Sequence, residues 1–449
     1  MPKEDGLKER VLQKQMVDVV IVGAGPAGIS AAITLARAGK KVVVIERGNF
    51  VGSKNVFGGA IYAQPTAEIF PNFWESAPVE RCNDEHRYAL LGENDGTVIG
   101  YKNAKHSENP EHYNSFTVIR AKWDRWCAEQ AKKEGAYIVT ETLVKELLLE
   151  DGRVVGIRTE KEDFYAKITI IADGVNSLLV KQLGLKKKIQ PEEVALGIKE
   201  VITIDKEKIQ ERFNLDDKSG VIYTIVGGPM QGMLGLGYIY TNKDSVVIGL
   251  GVSLKELKEK NLKPYELLNQ LKEHPIIKPL IKDGDLKEYS AHLIPEGGYN
   301  SMPKLVGNGF MVVGDAAMLV NNIHWEGTNL AMMSGKYAAE TAIMALEQND
   351  FTEHTLELYK KKLKQSFVLK DLKTYKDVIH TIENNAKAFL GYYPNKINEF
   401  FDLFITVDGV PKRRKYRSFI KNIFKQRNIF KIMCDMLKLL KLVWGVIVG

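Results

Sequence analysis

An α/β fold with a parallel, dinucleotide-type sheet is what this sequence predicts, and three observations predict it. First, the β-branched run Val19-Val20-Ile21-Val22 reads as a buried strand. Second, it runs into G-x-G-x-x-G at Gly23, Gly25 and Gly28, and a helical pattern follows from Ile29 to Ala38, with Gly39 past its end. Third, a second apolar run, Val42 to Ile45, ends on an acid, Glu46, 23 residues after Gly23. Each part has a physical task. Gly23 allows the tight turn, Gly25 lets a diphosphate approach the backbone, and Gly28 lets helix and strand pack closely. Ala24, Pro26 and Ala27 complete the glycine motif, and the free N–H groups and positive dipole end of the helix that follows it attract phosphate. Glu46, followed by Arg47, stands where a carboxylate accepts from a ribose hydroxyl.

The remaining elements follow in order. Arg47 to Tyr62, with Gly52-Ser53-Lys54-Asn55 and Gly58-Gly59, is a polar, glycine-rich loop on the binding edge of the sheet. Short runs at Tyr88–Leu91 and Phe116–Ile119 predict strands, and Arg120 to Lys133 predicts a helix. Asp151-Gly152 predicts a hairpin turn between Val144–Leu149 and Val154–Arg158. Ala166–Ile171 is a buried strand leading to Asp173-Gly174. From about 190 to 300, strand-like runs alternate with glycine-rich turns around one helical piece, Leu257–Glu273. This texture predicts an antiparallel sheet domain inserted into the first. Phe310 to Val313 resumes the parallel sheet, and Thr328–Leu346 is helical. The expected organisation is a Rossmann-like cofactor domain in three segments (1–75, 118–190, 301–350), an inserted antiparallel β-sheet domain in two (76–117, 191–300), and a helical C-terminal region (351–449).

Composition narrows the function classes. The chain of 449 residues carries a net charge of +7, but residues 411–449 alone hold eleven Lys/Arg and one acid, Asp435. The body is close to neutral, so no nucleic-acid partner is expected, and basic character belongs to the tail. Three separated cysteines, Cys82, Cys127 and Cys434, form no C-x-x-C, which argues against an internal iron–sulfur cluster or zinc site and fits a reducing cytosol. Residues 1–16 are charged and lack the apolar core of a signal peptide. No run reaches 18 apolar residues.

A second constellation points to a flavin. Ala172-Asp173-Gly174 and Gly314-Asp315-Ala316-Ala317 each end a buried strand with an acid beside a small residue, where ribose or ribityl hydroxyls can be held. Taken alone, either acid also reads as a turn or helix cap. Gly327-Thr328-Asn329 opens a helix whose N-terminus stabilises negative charge on a reduced ring. The motifs Gly23–Gly28, Gly52–Gly59, Val118-Ile119-Arg120 with Trp123-Asp124, Ala172–Gly174, Ser290–Gly298, Gly314–Ala317 and Asp371–Tyr375 cover nearly the whole chain. On these residues the chain resembles the FAD-dependent, p-hydroxybenzoate-hydroxylase-like flavoproteins. Within them it resembles the FixC-type members of the electron-transfer flavoprotein–quinone oxidoreductase family.

That resemblance implies an FAD oxidoreductase. Gly23, Gly25 and Gly28 would hold the diphosphate and Glu46 the adenosine ribose. Lys54, Asn55 and Gly59 would lie near the diphosphate and flavin, Arg120 would contact the cofactor, and Val144 the adenine. Asp315 would bind the ribityl or diphosphate region, with Gly314 beside it. Asp173 belongs to the same implied set, and Gly327, Thr328 and Asn329 would face the pyrimidine end of the ring. The family takes electrons from an electron-transfer flavoprotein of alpha and beta subunits and delivers them to quinone. The FixC-type arrangement adds a separate small ferredoxin-like iron–sulfur protein, and some such complexes bifurcate electrons from NADH. No nucleophile pair stands out, so the FAD ring carries the chemistry; His324 and Trp325 are the side chains that could line it. The rival readings are a geranylgeranyl-reductase-like enzyme, whose aromatic–proline stretch is missing from Gly237–Thr241, and a redox-silent flavin-containing assembly subunit.

In the tail, Phe419, Ile423, Phe430, Met433, Leu437, Leu440, Trp444 and Ile447 recur at helical spacing among lysines. A basic amphipathic helix with a tryptophan reads as a membrane-surface or partner-docking helix, or as one packed on the body. The expected location is cytoplasmic, peripheral to the inner face of the cell membrane.

Overall fold

Val19, Val20 and Ile21 have no solvent exposure at all, because their strand lies in the middle of a sheet covered on both faces. The computed structural model describes residues 16–54, 59–186, 189–230 and 232–447. The chain forms two units from interleaved segments. One comprises Met1–Val79, Val118–Val194 and Ile294–Lys373; the other comprises Glu80–Thr117, Ala195–Leu293 and Thr374–Gly449.

In the first unit, β1 (Met16–Val22) leads to α1 (Pro26–Arg37) and β2 (Val42–Ile45). After α2 (Arg120–Lys133) come β3 (Tyr137–Val139), β4 (Val144–Glu150), β5 (Arg153–Thr159) and β6 (Asp163–Ile171). The last segment supplies β7 (Phe310–Val312), α3 (Thr328–Gln348), α4 (Glu353–Gln365) and α5 (Phe367–Thr374). Five strands run parallel in the order β7-β6-β1-β2-β3. The β4–β5 hairpin joins β6 antiparallel, and its Asp151-Gly152 turn has both φ values positive, as such a two-residue turn requires.

Two glycines set the packing. Gly23 has φ +98°, a conformation side-chained residues rarely adopt, and it reverses the chain into α1. On α3, a Cβ added to Gly335 would sit 2.0 Å from the carbonyl oxygen of Ala27, so α1 and α3 touch backbone to side. Tyr359 of α4 donates its hydroxyl to the Val312 carbonyl at 2.9 Å and locks that layer onto β7.

In the second unit, strand order is Asp285–Pro295, Val194–Thr203, Ser245–Ser253, Gly235–Thr241, Ser219–Gly227, Val79–Leu91, with Gly96–Lys102 paired to the last. Neighbouring pairs are antiparallel from Val194–Thr203 through Ser219–Gly227; Ser219–Gly227 and Val79–Leu91 run parallel. One face carries the core: Ile198, Val221, Tyr223, Ile225, Ile239, Ile248 and Leu250 pack with Phe213 and Leu267, Leu268 and Leu271 from helices. Three elements differ from expectation. The strand at Tyr88–Leu91 begins at Val79, with Arg81, Asn83 and Asp84 buried in it. The helix expected over Leu257–Glu273 is two, Leu254–Glu259 and Pro264–Glu273, because Asn261 takes φ +51° and Pro264 must open a new helix. The tail stripe is likewise two helices, Lys412–Gln426 and Ile429–Ile447.

Candidate functional site

The site is built where the carboxyl ends of β1, β2 and β7 meet the N-termini of α1 and α3. Gly25 is the extended N-cap of α1, whose first turn has no acidic residue and no side-chain cap. Its orphan N–H groups are therefore left to an anionic ligand. Glu46, at the end of β2, is fixed from two sides. The Ala24 N–H donates to its Oε2 at 2.9 Å and the Gly48 N–H to its Oε1 at 2.7 Å. Each oxygen keeps a lone pair for a ribose hydroxyl. Arg47 beside it is exposed.

Arg120, on the first turn of α2, is buried and forked onto Asp124 one turn later at 3.0 and 2.9 Å. Its charge reaches Asp315. Asp315 lies in the turn after β7, held there by Gly314, whose N–H donates to Ser334 Oγ of α3 at 2.9 Å. Among the described residues the Asp315 carboxyl has no hydrogen-bond partner. It keeps partial exposure, yet dense surroundings push it up to about 6, with Arg120 pulling the other way. Gly327 caps α3, Thr328 begins it, and Asn329 is 4% exposed with an Oδ1 that meets no donor among the described residues.

Other expected residues stand differently. Asp173 accepts from Ser177 Oγ at 2.9 Å and the Leu179 N–H at 3.2 Å, so it orders its own loop and caps the short helix there. Val144 begins β4 and is half-buried, and Lys54 is exposed. The Gly59 carbonyl accepts from the Val118 N–H at 2.8 Å, while Asn55 lies outside the described residues. His324 and Trp325 are exposed at the tip of a loop closed by paired backbone bonds between Asn321 and Glu326. Sequence reasoning missed the aromatic wall beside Gly25 and Pro26: Phe70 and Trp123 line that cleft, and Trp126 stacks on Trp123 at 5.4 Å. The i, i+3 spacing of Trp123 and Trp126 on α2 was the available signal.

An orphan acceptor at Asn329, an unpartnered acid at Asp315, a pre-oriented carboxylate at Glu46 and an uncapped α1 fit the ring, ribityl, ribose and diphosphate of FAD in turn.

Comparison with known proteins agrees. Residues 18–179 match the family described as FAD dependent oxidoreductase, 194–294 match ETF-QO, ubiquinone-binding, and 378–444 match the ETF-QO/FixC family C-terminal domain, ETF-QO being electron-transfer flavoprotein–quinone oxidoreductase. Protein FixC of Bradyrhizobium diazoefficiens is 41% identical over 419 residues, covering 92% of this chain and 96% of that protein. Protein FixC of Azotobacter vinelandii is 41% identical over 94% of this chain and 97% of its own length. Among solved structures, a geranylgeranyl bacteriochlorophyll reductase-like protein of Thermoplasma acidophilum matches with TM-score 0.70 at 21% identity over 92% of this chain and 97% of that one. A myxobacterial chondrochloren halogenase matches with TM-score 0.65 at 16% identity, over 92% and 91%. At those identities the two structures share the fold alone, whereas the two FixC proteins are 41% identical over more than nine-tenths of this chain. The chain belongs to the FixC family and is an FAD-dependent oxidoreductase of the electron-transfer flavoprotein–quinone oxidoreductase type.

Proposed function

We propose that this chain takes electrons from an electron-transfer flavoprotein of alpha and beta subunits and delivers them to ubiquinone or menaquinone. The observation that carries the reading is the ubiquinone-binding match over residues 194–294 on the same chain as an FAD-dependent oxidoreductase match. FAD, when bound, accepts electrons in pairs and releases them singly, which links a flavoprotein donor to an iron–sulfur centre. With three cysteines, these residues cannot supply the four thiolates of a cluster, so the reading assigns that cluster to a separate small ferredoxin-like protein. It also includes membership of an electron-bifurcating complex supplied by NADH. The chain's own residues position the cofactor: Gly23 to Gly28 hold the diphosphate at α1, Glu46 the ribose, Arg120 and Asp315 the middle, and Gly327 to Asn329 the ring. Stopped-flow mixing of the FAD-loaded chain and its ferredoxin-like protein with reduced electron-transfer flavoprotein and a short-chain quinone tests this. Quinol should form within a catalytic turnover; bound flavin that stays oxidised throughout would overturn the reading in favour of a redox-silent subunit.

The tail supports a peripheral position on the inner face of the cell membrane. Among the described residues no helix is long and apolar enough to cross a membrane. The helices Lys412–Gln426 and Ile429–Ile447 nonetheless leave Phe430 74%, Leu440 61% and Trp444 66% exposed. Lysines 421, 425 and 431 stand exposed on the same helices. Apolar burial in the headgroup layer and cationic attraction to anionic lipid act together there. Each surface lysine contributes about 1 kcal/mol on anionic lipid. Changing Lys421, Lys425 and Lys431 together to Gln should therefore weaken binding to phosphatidylglycerol vesicles by roughly a hundredfold in flotation assays, with little change on neutral vesicles.

A further inference from the structure

The loop between β7 and α3 holds a group of ionisable side chains that the cofactor-binding role leaves unexplained. Asn321 and Glu326 exchange backbone hydrogen bonds at 2.8 and 3.0 Å and close the loop. Asn321 Oδ1 accepts from the N–H groups of Ile323 at 3.2 Å and His324 at 3.4 Å and stiffens its interior. Trp325 sits at φ +54°, a region costly for a large side chain, so the chain turns sharply between His324 and Glu326. Burial then steps inward: His324 is exposed, Glu326 half-buried and Asn329 96% buried, that is 4% exposed.

The three are connected. The Glu326 side chain hydrogen-bonds to that of Asn329, and His324 lies within electrostatic reach of Glu326 and of Asp371 on α5. Burial raises the carboxyls of both Glu326 and Asp371; at Glu326 the Asn329 hydrogen bond and then His324 oppose the rise while Asp371 adds to it, and at Asp371 His324 and Lys370 oppose it. Asn329 meanwhile keeps a buried, unpartnered Oδ1 at the N-terminus of α3, which is an acceptor waiting for a donor on a ligand. A carboxyl bonded to such a residue and in electrostatic reach of a surface imidazole has the arrangement of a proton relay.

We propose that Glu326 is the group that exchanges a proton with the flavin ring seated at Asn329, with His324 as its contact to water and Asp371 holding His324 in place. The inference rests on the reading above, in which the ring lies toward α3. Two-electron reduction of a flavin takes up a proton along with the electrons. The O–H bond of Glu326 breaks as that proton leaves, and the carboxylate recovers a proton from water through the imidazole of His324. The electrons come from the flavoprotein donor, so no further reactant is needed.

The test is proton uptake itself, read without quinone or protein donor. The FAD-loaded full chain is mixed with reduced methyl viologen, which gives electrons only, in weak buffer with an indicator dye. In the unchanged protein, dye response and flavin bleaching should coincide and slow together in D2O. In Glu326→Gln proton uptake should fall by about tenfold or more, and added formate should restore it, since a small acid can replace a missing relay. Glu326→Asp should retain partial function, and His324→Gln, a change at an exposed position, should slow uptake several-fold with FAD affinity unchanged. Wild-type uptake rates in Glu326→Gln would overturn the proposal, and so would a slowed rate that formate does not rescue. Because no quinone is present, a chain that fails to reduce quinone yet shows this pattern would sink the quinone reading and leave the relay standing.

Discussion

Gly335→Ala should destabilise the FAD-binding unit by about 3 kcal/mol and lower its melting temperature by on the order of 10 °C. The sign is opposite to the usual one. Inside an exposed helix, glycine to alanine is worth about 1 kcal/mol of added stability. Here the new Cβ would stand 2.0 Å from the Ala27 carbonyl oxygen and 2.9 Å from its carbon, and a backbone group cannot swing away. Helix α3 must therefore back off from α1. The first turns of both helices move with it, so Asn329 and the N–H groups around Gly25 lose their mutual placement. FAD should dissociate more readily, and the purified variant should be paler. Gly445→Ala is the matched control. It lies in the helix Ile429–Ile447, where its Cβ would meet only Val378 Cγ2 at an ordinary 3.7 Å. Thermal unfolding followed by flavin fluorescence should show a large drop for the first change and none for the second. Equal behaviour would mean that α1 and α3 are not in backbone contact.

The contrast shows which parts of this molecule are written locally. β1, the glycine turn, α1, β2 and Glu46 lie within thirty-odd neighbouring residues and read directly from sequence. The Gly335–Ala27 contact joins residues three hundred positions apart, and nothing local to either announces it. The part of the strand Val79–Leu91 that precedes Tyr88 was illegible for a similar reason. Its charged residues break the apolar alternation, but Arg81 is only 1% exposed, donating to the Asn242 carbonyl at 2.8 Å and the Ser219 carbonyl at 3.0 Å. Those partners come from distant segments. Asp173 and Asp315 look alike in sequence, each an acid beside a small residue after a buried strand. Ser177, four residues on, takes up Asp173, while Asp315 has no such neighbour and stays open to a ligand. The tail misled for a different reason: its apolar spacing runs straight across a break at Arg427 and Asn428, where Arg427 pairs with Asp435 of the second helix.

Asp315→Asn should stabilise the FAD-free protein at neutral pH and weaken FAD binding by roughly tenfold or more. Burial pushes the Asp315 carboxyl from its ordinary 3.8 up to about 6. Between those two values the folded state holds a proton that the unfolded state has released, so stability declines as pH rises through this window. By neutral pH the ionised carboxylate costs about 3 kcal/mol at most, and nearer 1–2 once its partial exposure is allowed for. Asparagine carries no such cost. Denaturant unfolding of the FAD-free protein should accordingly show the wild type losing stability from about pH 4 to about pH 7, while the variant loses less across that window and is the more stable at its upper end. The opposite change is expected with FAD present. A carboxylate accepts hydrogen bonds from two hydroxyls at once, and an amide oxygen does so more weakly. Fluorescence titration should then show the variant binding FAD less tightly even though its empty form is the sturdier. If Asp315 holds the cofactor as proposed, its raised carboxyl is a stability cost retained for binding. If the variant matched the wild type in both measurements, Asp315 would be an ordinary turn residue and the middle of the cofactor would be held elsewhere.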